Sequence, residues 1–165
     1  IKGDATSTFG SDIDVTGNIN HDMPMFSVTN TANQSISDNT WTKTTLNSVI
    51  FDTHNAFDET TNYRFTVPSG QGGKYMLYTR LRHDSGITNL ITSVVELYKN
   101  GSNYRRSYFN ADAANSRAFH HTFSTVIELN EGDYIEVYSI CNVESGSTTV
   151  NSTHQYTEFS GYRLI

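Results

Sequence analysis

The stretch 63-YRFTVPSGQGGKYMLYTRLR-82 decides how the rest of the chain is read. Tyr63, Phe65 and Val67 fall on one side of an alternating run, opposite Arg64 and Thr66, and a period of two is strand geometry. PSGQGG, with one proline and three glycines in six residues, continues neither strand nor helix and reads as a turn. Beyond it a second alternating run begins at Tyr75 and carries to His83. The unit is strand, turn, strand.

The same grammar extends in both directions. Strands are predicted over Met25–Thr29, Trp41–Phe51, Tyr63–Val67, Tyr75–His83, Leu90–Lys99, Tyr104–Asn110, Phe119–Leu129, Tyr134–Asn142 and Tyr156–Ile165. Asn100-Gly101 in KNGSN is a tight hairpin signal, and NEGD joins the next pair. NADAANSRAF is better read as a loop than as a helix. About nine short strands at this spacing predict an all-β sandwich or jelly roll.

Composition agrees with that class. Ser, Thr and Asn make up about a third of the 165 residues, with 10 Tyr, 9 Phe and only 2 Pro. The length suits one domain with its own core. Cys141 is the one cysteine and reads as a small buried hydrophobe, so no intrachain disulfide forms. A net charge of −6 argues against nucleic acid as a partner; Arg105-Arg106, Arg80 and Arg82 read as solvated or paired strand arginines. No apolar run is long enough for membrane insertion, and no signal pattern opens the chain. The first residue is Ile rather than Met, from which a fragment or processed product is expected.

Several strands are apolar on both faces. Ile135, Val137 and Cys141 oppose Tyr134, Tyr138 and Ile140; Leu90, Val94 and Tyr98 oppose Ile91, Val95 and Leu97. A sheet with one face on the core and one in water does not look like that, so an oligomer interface is expected. Residues 1–22 stand apart. Phe9, Ile13, Val15 and Ile19 fall at odd positions in an alternation interrupted by Gly10 and Gly17, a β segment too short to bury its face alone. DVTGNI there is similar to the shaft repeats of viral and bacteriophage fibres.

Together, YRFTVPSGQGGKYMLYTRLR, LYKNGS, VIELNEGDYIEVY and FSGYRLI resemble, in order, blocks of the complement-one-q-like globular head in the tumour necrosis factor superfamily. DTHNAFD fits its place before the first block. The resemblance covers residues 23–165 and implies a jelly roll of about ten strands in a compact homotrimer, with both termini at one basal end. PSGQGG is longer than the family's usual turn, and no collagen-like repeat precedes the head. The last strand is then expected beside the first and interior to the trimer, with Tyr98, Tyr134, Tyr138, Tyr156, Tyr162 and Leu164 at the interface.

If the last strand runs to the base, alternation sends PSGQGG, KNGSN and NEG to the base too. DTHNAFDET, HDSGIT, NADAANSR and VESGSTTVNSTH are then expected at the distal end. Exposed loops carry function, so the candidate ligand contacts are Asp58, Glu59, His83, Asp84, Asn110, Asp112, Asn115, Arg117, Glu144, Asn151 and His154. No catalytic residue is assigned: nucleophile and zinc-protease motifs are absent, and the loop carboxylates have no fixed separation. His120 and His121 point to opposite strand faces and do not chelate one ion. No cofactor is assigned; His83-Asp84 with Asp112 would be a calcium candidate, but no ligand-spaced Asp run accompanies them.

These readings lead to a non-enzymatic head of a bacteriophage fibre on the virion exterior, attached to other virion proteins through its N-terminal segment. Its distal loops would bind a host surface glycan or protein, with avidity from three copies. The alternative is a capsid-decoration or fibre-connecting protein with no receptor role. A polysaccharide-cleaving enzyme is the third reading.

Overall fold

The computed structural model describes residues 22–111, 114–152 and 156–165. Among these residues, strands and no helices form two antiparallel sheets. In chain order the strands are β1 Met25–Thr29, β2 Gln34–Ser37, β3 Thr42–Lys43, β4 Ser48–Asp52, β5 Phe57–Asp58, β6 Arg64–Thr66 and β7 Gly73–Asp84. They continue as β8 Leu90–Lys99, β9 Ser102–Asn110, β10 Ala118–Leu129, β11 Tyr134–Val143, β12 Ser147–Val150 and β13 Glu158–Arg163. The seven-stranded sheet runs β2-β12-β7-β13-β1-β4 with β10 against β7, and the six-stranded sheet runs β5-β6-β11-β8-β9 with β3 against β11.

The alternation that opens at Tyr75 makes β7 the spine. Tyr75, Leu77, Thr79, Leu81 and His83 are fully buried, and the residues between them face outward. One edge of β7 pairs with β10 without a break, from Gly73↔Leu129 to Asp84↔Ala118. The other edge is shared: β13 takes Tyr75 to Arg80, and β12 takes His83 and Asp84. Between the sheets Phe26 stacks on Phe65 at 4.5 Å and meets Phe159 edge-on at 5.0 Å. Truncating an aromatic ring buried like these costs about 3–5 kcal/mol.

The chain crosses between sheets more often than the alternation suggested. The expected strand Trp41–Phe51 is two strands, β3 in one sheet and β4 in the other, with Leu46 fully buried at the crossing. The short β2, β5 and β12 bring the strands to thirteen among the described residues. Each has at most four residues, too few for a run of alternation to declare itself.

The last strand lies where expected, between β1 and β7. Its Phe159 is in the core and Tyr162 faces outward. Leu164 N–H donates to the Lys74 carbonyl at 2.7 Å, and Lys74 N–H donates to that of Ile165 at 3.1 Å. Ile165 is 68% exposed in the single chain, while its backbone is tied down.

The turns at 68–73, 99–102 and 130–133 gather at the end where β13 finishes, as the strand count required. The 53–56 part of DTHNAFDET is also there: β4 descends beside β1, and Thr53 N–H donates to the Met25 carbonyl. That segment was expected at the distal end; the extra crossover through β4 and β5 reverses it. Close approach of Leu77 and the Met76 carbonyl leaves little room for a side chain at Gly161. A Cβ there would lie 2.7 Å from Leu77 Cδ2 and 3.0 Å from the Met76 carbonyl. Gly161→Ala is therefore expected to lower stability by about 1–3 kcal/mol in urea denaturation, while the outward-facing Ser160→Ala stays within about 0.5 kcal/mol; equal midpoints for the two variants would contradict this packing.

Candidate functional site

At the distal end three loops are knitted together. Asp84, at the top of β7, accepts from Arg82 Nη2 at 2.9 Å and from Gly86 N–H at 2.8 Å, and it faces Arg117 Nε at 3.7 Å. Ser85 donates its N–H and hydroxyl to the Arg117 carbonyl, which fastens 85–89 to 114–117. Asn89 is buried and donates to the Ser145 carbonyl at 2.8 Å, while Glu144 N–H donates back to Asn89; this joins 144–146. The crown presents Asn110, Arg117, Glu144 and Ile87 to solvent, with Asn115 half-buried. Five expected contacts thus come together: Asp84, Asn110, Asn115, Arg117 and Glu144. Asp112 and His154 lie outside the described residues. Ile87 and Asn89 escaped the sequence reading, which sought polar side chains at loop tips rather than an exposed apolar one and a buried amide.

Four expected contacts are elsewhere. Asp58 caps a lateral turn, accepting from the N–H groups of Thr60, Thr61 and Asn62; these bonds hold its carboxyl far below the usual range. Glu59 accepts from Val49 N–H at 3.1 Å and pins that turn to β4. Asn151 turns its Oδ1 into the protein. His83 faces inward and is fully buried, because odd positions of β7 point to the core.

His83 instead begins a polar chain across the sandwich. Its Nδ1 lies 2.6 Å from Ser93 Oγ on β8, which lies 2.7 Å from His121 Nε2 on β10; His121 Nδ1 lies 2.9 Å from Ser107 Oγ on β9. Cys141 Sγ from β11 closes on the same Ser93 oxygen at 4.0 Å, and Phe119 packs edge-on against His121. Among the described residues, His83 Nε2 is buried without a partner. An orphaned N–H is costlier than an orphaned lone pair, which assigns the His83 proton to Nδ1. The hydroxyl of Ser93 then donates to His121, and His121 Nδ1–H donates to Ser107. His120, the next residue, points out, as alternation requires. Among the described residues, no group of three or more His, Cys, Asp or Glu side chains could hold a metal ion.

The six residues expected at one interface divide between opposite faces of the sandwich. Tyr162 and Leu164 belong to the outward side of the seven-stranded sheet and its lower end, and Tyr156 lies under Arg82 at 4.9 Å on that side. Tyr98, Tyr134 and Tyr138 project from the six-stranded sheet. There Tyr98 stacks on Tyr138 at 4.3 Å, Trp41 leans on Tyr98, and Arg64 covers Tyr134 at 4.1 Å. The second apolar face of β8 and β11 is thus covered in part by the chain's own 41–43 segment and by ring stacking.

With this geometry the chain is a jelly roll of the kind seen in complement C1q and tumour necrosis factor-like heads. The globular domain of zebrafish complement 1qA superposes with a TM-score of 0.59 at 15% identity, over 86% of this chain and 98% of that one. Murine APRIL (crystals at pH 8.0) gives 0.59 at 14%, over 86% and 99%. Likeness at such identity is likeness of fold. No family model matches the sequence. An uncharacterised protein of Bacillus subtilis (strain 168), YqcC, is 31% identical over 112 residues, which is 65% of this chain but 29% of that protein.

The histidine chain makes stability depend on pH. Burial pushes His83 down to about 3, with the charge of His121 adding to it, and burial pushes His121 down to about 4, with His120 adding. Both folded values lie below the ordinary 6.5, so on acidification the unfolded chain takes up protons first. Stability from this pair is complete above pH 6.5 and is lost as pH falls from there toward about 3. The urea midpoint is expected to be lower at pH 5 than at pH 7.5, with a shallower dependence in the double variant His83→Gln/His121→Gln. Parallel pH profiles for the two proteins would refute this assignment.

Proposed function

We propose that this domain is the non-enzymatic head of a bacteriophage fibre, a self-associating trimer on the virion exterior that meets a host surface glycan through its distal crown. The observation that carries the reading is the crown itself: three loops bound into one surface at the end opposite the turns where Asp22 enters the fold. Exposed loops on a rigid sandwich are where binding residues concentrate. The fibre context rests on the shaft-like pattern of residues 1–22, whose structure at 1–21 lies outside the described residues.

Self-association is supported by the outward face of the seven-stranded sheet. Met25, Tyr162, Met76 and Val126 are cross-strand neighbours in one row, and Met25, Tyr162 and Val126 are exposed, as is Phe51 beside them. A groove of about 160 Å³ runs between Met25, Phe51 and Tyr162. Exposed apolar patches of this kind mark interfaces. Just above it the face turns polar: Glu158 accepts from Ser27 and pairs with Arg80 at 3.1 Å. Three copies closing on this face would carry three crowns pointing one way, and weak contacts would multiply by avidity.

Two measurements test this. Sedimentation is expected to give a trimer that Tyr162→Glu dissociates to folded monomer; a wild-type monomer at micromolar concentration would end the trimer reading. Fluorescently labelled trimer is expected to bind Bacillus subtilis cells, the source of the matching relative, and to lose most of that binding in the double variant Arg117→Ala/Glu144→Ala. Unchanged cell binding by a variant that remains trimeric would sink the crown as receptor site.

A further inference from the structure

The outward face of the six-stranded sheet has a composition that solvation alone does not explain. Strand register sets out two adjacent rows. One reads Asn103, Tyr98, Glu136, Arg64, Asp58; the next reads Arg106, Glu96, Tyr138, Lys43. Tyrosine and glutamate therefore alternate like a chequerboard on β8 and β11, with a cation beside each carboxylate. Trp41 lies over this ground, its ring 6.1 Å from that of Tyr98 and inclined by 59°. It is 39% exposed.

The polar groups between the rings are held in place. Glu96 is 2% exposed and pairs with Arg106 at 3.2 Å; Glu136 is 5% exposed and pairs with Lys43. Burial pulls the Lys43 ammonium down, yet the hydrogen bond and charge of Glu136 hold it above its ordinary value. Burial, with Glu96 and Tyr138 nearby, raises Tyr98, which keeps its phenol a neutral donor. An exposed indole braced by stacked rings, with cations fixed by buried carboxylates beside it, costs little ordering entropy when something lies against it.

We propose that Trp41, backed by the stacked Tyr98 and Tyr138, forms a lateral saccharide platform that stacks a β-linked, gluco-configured pyranose and meets its hydroxyls with Lys43 and Arg106. Such sugars place their hydroxyls equatorially. Both ring faces are left as flat C–H surfaces that suit an indole ring, with polar groups at the rim to meet the two cations. A peptide anchor would need a deeper apolar pocket. An anion such as sulfate would find its cations already matched with carboxylates. The platform is separate from the distal crown and does not depend on it.

Trp41 is the sole tryptophan, so its emission reads this surface directly. The full chain is titrated with hexamers of β-1,4-linked glucose and of β-1,4-linked N-acetylglucosamine, with the α-1,4-linked glucose hexamer as the curved comparator. A saturable emission change is expected with at least one β-linked hexamer, weakened by about tenfold or more in Tyr98→Ala and kept within about twofold in Tyr98→Phe. Calorimetry of Trp41→Ala, with circular dichroism confirming the fold, is expected to lose the same binding, while Ser124→Ala on the opposite sheet retains it. No saturable response to either β-linked hexamer overturns the proposal and leaves Trp41 as a lid over two ion pairs. Undiminished binding by folded Trp41→Ala overturns it as well. Because these titrations read Trp41 and the cell assay reads the crown, either result can fail alone.

Discussion

The backbone ladder of β7 is the constraint from which the rest of the domain is arranged. Twelve consecutive residues pair with β10 on one edge, and two different strands divide the other edge. Since β13 and β12 meet β7 in series, the last strand is confined to the lower two thirds of the spine and the distal loop region to its top. The partition separates a basal end of tight turns from a crown of longer loops. An unpaired backbone group at the junction would cost about as much as a lost hydrogen bond, and Asn151 N–H, donating to the Arg82 carbonyl, fills that position.

Much of this was legible because long strands announce themselves. The runs at 25–29, 75–83, 90–99, 119–129 and 134–142 are read as strands from their composition and length, and all five are strands. Cys141 is buried, and Arg80 and Arg82 are paired. What alternation does not encode is which sheet a strand joins. The stretch from Trp41 to Phe51 has strand composition throughout yet changes sheet at Leu46, and that crossover carried Asp58 and Glu59 away from the crown. His83 illustrates another blind spot. Its parity on β7 was enough to point it inward, but its position next to a loop suggested exposure. Only the opposing Ser93 and His121 show how a polar ring is accommodated there.

The two outward faces of the sandwich differ in kind. The seven-stranded face combines an apolar basal row with a polar upper part, suiting contact with another copy of the chain. The six-stranded face is built of rings and charges that satisfy one another, with one tryptophan left half open. Tyrosines that look alike in sequence thus belong to different surfaces: Tyr162 stands exposed beside Met25, whereas Tyr98 and Tyr138 stack on each other. Pairing across the sheet, not residue type, separates the two surfaces.

Amide hydrogen exchange of the full chain at neutral pH tests the central claim that β7 organises the domain. The slowest amides are expected along β7 and its partners in β10 and β13, exchanging only through global unfolding, with β9, the edge strand of the six-stranded sheet, faster by orders of magnitude. Protection in β7 no greater than in β9 would contradict the account, because the spine would then open without unfolding the structure it is said to hold together.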